Sequence, residues 1–227
     1  MSDPAAPVLE ARNLSKSYRR GATEVRALTD VSLTIPAGSF ILLTGPSGSG
    51  KTTLLALLAA LDRPSSGTVL FAGRDLSAHS DVGLARVRRR LGFIAQDFAL
   101  IPGLSAWENV TYPLIPRGVR RAERRGVAAE LLTRLGLLDR LNARPRELSG
   151  GEQQRVAVAR ALAGRAEVVL ADEPTSNLDE ATARGVIELL AEVHRDGRTV
   201  VVATHDPRLT ALATAKYELA AGRLVTG

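Results

Sequence analysis

The chain has no cysteine, which excludes disulfides, thiolate metal sites and a cysteine nucleophile and fits a reducing compartment. No apolar run approaches the roughly 18 residues needed to cross a bilayer. The richest, Leu54 to Leu61, is short and follows a glycine-rich stretch, so it reads as a buried helix. Residues Met1 to Pro7 lack the basic-then-apolar order of a secretory leader, so the chain is expected to stay where it is made. Lysine is scarce: Lys16, Lys51 and Lys216 stand among 30 basic residues, and the other 27 are arginine. A formal net charge of +6 suits nucleic acid, an anionic membrane surface or a nucleotide, but the arginine excess reads as a compositional habit rather than a site. Three histidines without cysteine offer no credible zinc site, and His79 and His194 read as surface residues.

What is present is a globular composition, 45% hydrophobic and 24% charged over 227 residues, enough for a mixed core. Short alternating runs at Val8–Leu14, Val31–Ile35 and Phe40–Thr44 predict strands, punctuated by Gly21, Pro36 and Gly38. A helical pattern follows Gly50 to Ala60, and Thr68–Phe71 returns to strand. After the strand Leu91–Ala95 the character becomes helical: Ser105 to Glu108 form a capping-box pattern, and Val127, Leu131, Leu132 and Leu135 share one helix face. Val168–Asp172 and Thr199–Thr204 are apolar runs suited to buried parallel strands, with a helix from Glu180 to His194 between them. Tyr217–Ala220 and Arg223–Val225 around Gly222 predict a closing hairpin. The expected fold is α/β: one domain over 1–227, with a core and β subdomain from 1–95 and 164–227 and a helical lobe from 96–163.

Three stretches carry chemistry. Gly45, Pro46, Ser47, Gly48, Ser49, Gly50, Lys51 and Thr52 match G-x-x-x-x-G-K-[ST] between a strand and a helix, with Thr53 next in line. Such a loop turns backbone N–H groups around phosphates; Lys51 reaches the outer ones and the Thr52 hydroxyl can ligate Mg²⁺. Asp172 and Glu173 end an apolar strand, so that Asp172 can hold the metal and Glu173 can orient or deprotonate a water. In Leu148, Ser149, Gly150, Gly151, Glu152, Gln153, Gln154 and Arg155, Ser149 and Glu152 make a capping box. A capped helix does not need two glycines where alanine serves better, and bare N–H groups at a helix start attract a phosphate.

That last string resembles the signature motif of ATP-binding-cassette ATPases, and the resemblance spans nearly the whole chain. It implies a P-loop ATPase binding ATP and Mg²⁺, and a homodimer in which Ser149, Gly150, Gly151 and Glu152 of one chain cover nucleotide held by the other. It further implies that Tyr18 stacks on adenine, the alternative being a core strand residue; that Gln96 touches Mg²⁺ and the attacking water; and that Asp179 sits in the loop crossing the interface. His205 is implied to contact the γ-phosphate, and Glu173, His205, Gln96 and Lys51 form the catalytic set. The chain looks most like the branch of lipoprotein-release, macrolide-export and cell-division ATPases, but carries Ser176 where glycine is frequent there and Ala95 where phenylalanine is. The branch implies a separate membrane permease, docking on the apolar cluster of Phe98, Leu100, Ile101, Leu104 and Trp107 and placing the chain at the cytoplasmic face of the membrane. The rival reading is an ATPase of the same type serving iron–sulfur assembly or nucleic acid through the basic runs Arg86–Arg90 and Arg117–Arg125, or a cell-division signalling ATPase.

Overall fold

Fourteen-residue strands β1 (Pro7–Arg20) and β2 (Thr23–Pro36) open the fold as one long antiparallel pair. They run well past the apolar runs that announced them, because register shifts let the polar outer halves pair while the inner halves pack. With β4 (Ser66–Phe71) and β5 (Arg74–Asp75) they form an antiparallel sheet in the order β2-β1-β4-β5. The computed structural model describes residues 6–21, 23–176 and 178–226.

The second sheet has the order β10-β9-β3-β8-β7-β6. β3 (Phe40–Thr44), β6 (Leu91–Ile94), β7 (Val168–Asp172), β8 (Thr199–Ala203) and β9 (Ala215–Ala220) are parallel, and β10 (Arg223–Thr226) closes the edge antiparallel. Every residue of β7 and β8 is buried, as expected for strands covered on both faces. One face packs against β1, β2 and α1 (Lys51–Leu58) through Leu9, Ile35, Leu43, Leu54, Leu58 and Leu170. The other packs against α3 (Ala106–Thr111), α4 (Arg121–Arg134), α5 (Gly150–Ala163) and α6 (Glu180–Arg195) in one continuous core that includes Leu42, Ile94, Trp107, Leu132, Val158 and Leu190.

Several expectations need correction. The pattern left Asp81–Arg88 unassigned, yet it forms α2, capped by the Ser80 hydroxyl, which accepts from Gly83 N–H. Its apolar content is too sparse for a periodic signal, and only Leu84 is buried. His194 is half-buried rather than a free surface residue: its ring packs edge-on against Phe40 at 5.6 Å. His79 is half-buried, with Nδ1 2.9 Å from the Asp75 carbonyl oxygen. Trp107 is only 3% exposed. The guanidinium carbons of Arg121, Arg124 and Arg125 lie 5.0, 5.9 and 5.6 Å from its ring centre. Much of both basic runs is therefore committed to the fold: Arg90 is held by Glu167, Arg88 donates to the Ala60 carbonyl, and Arg117 donates to the carbonyls of Gly164 and Arg89.

Leu170, at the centre of the fully buried β7, tests this core. Leu170→Ala is expected to destabilise the chain by roughly 2–5 kcal/mol, read as a lowered denaturation midpoint with an unchanged denaturant slope.

Candidate active site

The parallel register sets the site. Leu43 of β3 pairs with Ala203 of β8, Ala203 with Asp172 of β7, and Ala171 with Ile94 of β6, so four strands end at the same level. The loops leaving those ends carry the glycine-rich turn, His205, Glu173 and Gln96 to one side of the sheet. They line a cavity of about 920 Å³ with Ser47, Gly48, Gly50, Lys51, Thr52, Thr53, Gln96, Asp172, Glu173 and His205 in its wall. That the ligands of an open α/β sheet gather beyond its carboxyl ends is a general property of the architecture.

The glycine-rich turn is packed too tightly for side chains at two points. A Cβ on Gly45 would stand 2.0 Å from the Leu219 carbonyl oxygen, and one on Gly50 2.6 Å from that of Ala27, with φ at +134° and +104°. Lys51 is buried, its Nζ donating to the carbonyls of Gly45 (2.7 Å) and Pro46 (3.1 Å) and lying 3.3 Å from His205 Nε2. Ser49 is buried within the turn. Asp172 is 2% exposed, and burial raises its pKa while the Thr52 hydroxyl and Lys51 pull it back down. A buried carboxylate beside a hydroxyl, with the Gln96 amide in the same wall, is an oxygen donor set of the kind a hard divalent cation takes, so these residues fit Mg²⁺.

Glu173 follows Asp172 in the left-handed region, φ +47°, costly for a non-glycine residue and concentrated at functional sites. The turn is held by Glu173 N–H donating to the Ala203 carbonyl at 2.9 Å and by the Ser176 hydroxyl donating to the Glu173 carbonyl at 3.0 Å. It aims the carboxylate at His205, Oε1 to Nε2 3.6 Å. Tyr18 is 40% exposed, which removes the core alternative. Its hydroxyl donates to Asp62 at 2.9 Å, and burial first, then Asp62, raises its pKa. Tyr18 lies beside the cavity rather than in its lining, and its cross-strand partner Val25 is in the wall.

Ser149, Gly150, Gly151, Glu152 and Asp179 are not in that cavity within one chain. Ser149 caps α5: its hydroxyl accepts from Glu152 N–H, and Glu152 Oε2 accepts from Ser149 N–H at 2.7 Å. This second bond is the main reason the Glu152 pKa is lowered. A Cβ on Gly150 or Gly151 would meet nothing closer than 4.0 and 3.4 Å, so this fold leaves room for side chains at both. Asp179 caps α6 by accepting from the N–H and hydroxyl of Thr182 at 3.0 and 2.6 Å. That is a structural duty the sequence reading did not assign it.

The sequence reading also missed a tie between the loops that follow β7 and β8. The Thr175 hydroxyl, on the Glu173 loop, donates to Asp206 on the His205 loop at 2.9 Å, and Arg208 holds Asp206 at 2.6 Å. The pattern D-P-R after the histidine was the only available signal. The Arg208 side chain above all, with its backbone N–H and Thr175, lowers the Asp206 pKa from 3.8 to about 2. A depressed carboxyl pKa contributes stability that is fully present above the unfolded value and lost as pH falls through the folded one. Asp206→Asn should therefore lower stability at neutral pH and flatten the loss of stability between about pH 4 and 2, read by denaturant titration at several pH values; an unaltered acid limb would remove Asp206 from this role.

A family model described as ABC transporter matches residues 28–176. The macrolide export ATP-binding/permease protein MacB of Nitrosomonas europaea is 48% identical over 227 residues, covering 99% of this chain and 34% of its own length. The chain thus spans about a third of the length of the macrolide-export relatives it matches. The uncharacterized ABC transporter ATP-binding protein YvrO of Bacillus subtilis is 43% identical, with 96% of each chain covered. Among solved structures, the dimeric post-hydrolysis ATP-binding cassette MJ0796 bound to ADP and Pi superposes with a TM-score of 0.92 at 39% identity, covering 96% of this chain and 97% of that one. The matched segment takes in the glycine-rich turn, Gln96, the Ser149–Glu152 string and Glu173, stops before His205, and covers more than half of the chain: the chain belongs to the ABC transporter family, as one of its ATP-binding cassettes.

Proposed function

We propose that this ABC-family ATPase hydrolyses ATP as a sandwich of two copies and uses closure of that sandwich to drive a membrane permease in export, lipoprotein extraction or mechanical transmission. The observation that carries the reading is the single cavity in which Lys51, Thr52, Gln96, Asp172, Glu173 and His205 meet. Similarity to a dimeric cassette and to proteins named for macrolide export supports it. No helix among the described residues is long and apolar enough to cross a membrane, and the permease that this reading requires is not among those residues. The chain would then act at the cytoplasmic face, with 96–163 as a helical lobe that meets the permease. The half-buried Phe98, Leu100, Ile101 and Leu104 remain candidates for that contact, whereas Trp107 lies beneath its arginines.

In this mechanism the triphosphate enters the Gly45–Thr53 turn, and Lys51 exchanges loop carbonyls for the outer phosphate oxygens. Thr52, Asp172 and Gln96 would hold Mg²⁺, whose charge screens the phosphates when bound. Tyr18 and Val25 offer a face for the base, and His205 stands beside Lys51 for the γ-phosphate. Glu173 accepts a proton from the attacking water, or orients it. Ser149, Gly150 and Gly151 of the second chain cover the γ-phosphate, so its loss opens the dimer; the Asp179 segment would lie along the same interface.

Glu173→Gln is expected to cut steady-state hydrolysis at least about a hundredfold while ATP, and not ADP, converts the variant to a dimer on size exclusion. Unchanged turnover would remove Glu173 from the reaction. Lys51→Ala should lose ATP binding in equilibrium dialysis, and retained affinity would contradict the phosphate role.

A further inference from the structure

We infer that Arg160 is a positioning residue that couples the signature helix to Gln96. It rests on the reading of Gln96 above and adds the part that moves it. Arg160 lies on α5 roughly 16 Å along the helix from Ser149, at 1.5 Å per residue. Its guanidinium donates through Nη2 to the Phe98 carbonyl at 2.7 Å and through Nη1 to that of Ala99. Those two carbonyls belong to consecutive non-glycine residues at φ +62° and +46°, immediately beyond Gln96 and Asp97. A planar fork of donors matches two adjacent carbonyls in a way a lysine ammonium does not. Arg160 is half-buried; burial lowers its pKa and Asp97 opposes that shift, and of its two bonds the one to Phe98 is partly shielded from water while the one to Ala99 is exposed.

The same helix grips the segment on its other side. A Cβ on Gly92 of β6 would stand 2.5 Å from the Ala161 carbonyl oxygen, so the backbones of α5 and β6 touch there. Gln96 therefore sits between two points of attachment, Gly92 and Phe98–Ala99, both made to adjacent residues of α5. A shift of α5, whose N-terminus faces the partner's nucleotide in the proposed dimer, must be passed to the Gln96 amide in its own cavity. The strained Phe98–Ala99 turn is held in one arrangement by the guanidinium and is free to relax once that fork is lost.

The test is a double-mutant cycle on ATP turnover with Arg160→Lys and Gln96→Ala. Arg160→Lys alone is expected to lower kcat about tenfold, with KM for ATP within about twofold and the thermal midpoint of the nucleotide-free chain unchanged. In the Gln96→Ala background it should add nothing. Arg160→Gln, planar but uncharged, checks the same cycle with a second side chain. Multiplying effects in the double variant would overturn the coupling, as would a kcat loss that follows a lowered thermal midpoint. Unchanged turnover in Gln96→Ala alone would instead remove Gln96 from the site, and the link with it.

Discussion

Everything in the site depends on attraction between phosphate charge and backbone N–H groups exposed where a helix begins. Two helix starts, α1 behind Gly45–Gly50 and α5 behind Ser149, are built around glycine. At α1, Gly45 and Gly50 are demanded by the fold itself, since neighbouring carbonyls occupy the space a Cβ would need. At α5 they are not: the chain has room at Gly150 and Gly151 and leaves it unfilled. The helix dipole and free N–H groups favour an anion at either place. The unfilled room at α5 points to an anion held by something other than this chain.

In the proposed reaction the acids and the histidine serve that attraction. The parallel strands end in register, so chemistry carried on separate stretches of sequence converges without long side chains. The strained Glu173 turn and the bond between Thr175 and Asp206 keep the β7 and β8 loops at a fixed separation. Arg160 extends the same economy to the β6 loop: the β7 and β8 loops are tied to each other, and the β6 loop is tied to α5.

The motifs were legible because their chemistry is local. The phosphate turn, the Asp172–Glu173 pair and the Ser149–Glu152 box are contiguous strings whose roles follow from backbone geometry, and the apolar runs of β3, β7 and β8 announced the central sheet. Features that depend on distant partners were not legible. The outer halves of β1 and β2 are polar and become strand only by pairing with each other. α2 was missed for a different, local reason: it has too little apolar content to show a period. Trp107 read as a docking residue because its arginine cover comes from α4, fourteen or more residues on. The grip of Arg160 on Phe98 and Ala99 bridges about sixty residues and carries no local signature.

The central claim, that the Ser149–Gly151 start of one chain closes over a phosphate held by another, is tested most directly by mixing two defective chains. Lys51→Ala chains and Gly150→Leu chains should each fail to trap radiolabelled ATP alone. If the sites are composite, the mixed dimer contains one intact site, pairing the normal phosphate turn of the second chain with the normal α5 start of the first. Mixing should then restore trapping of one nucleotide per dimer. Should the mixture trap no more than its separate components, each site is complete within one chain and the account fails.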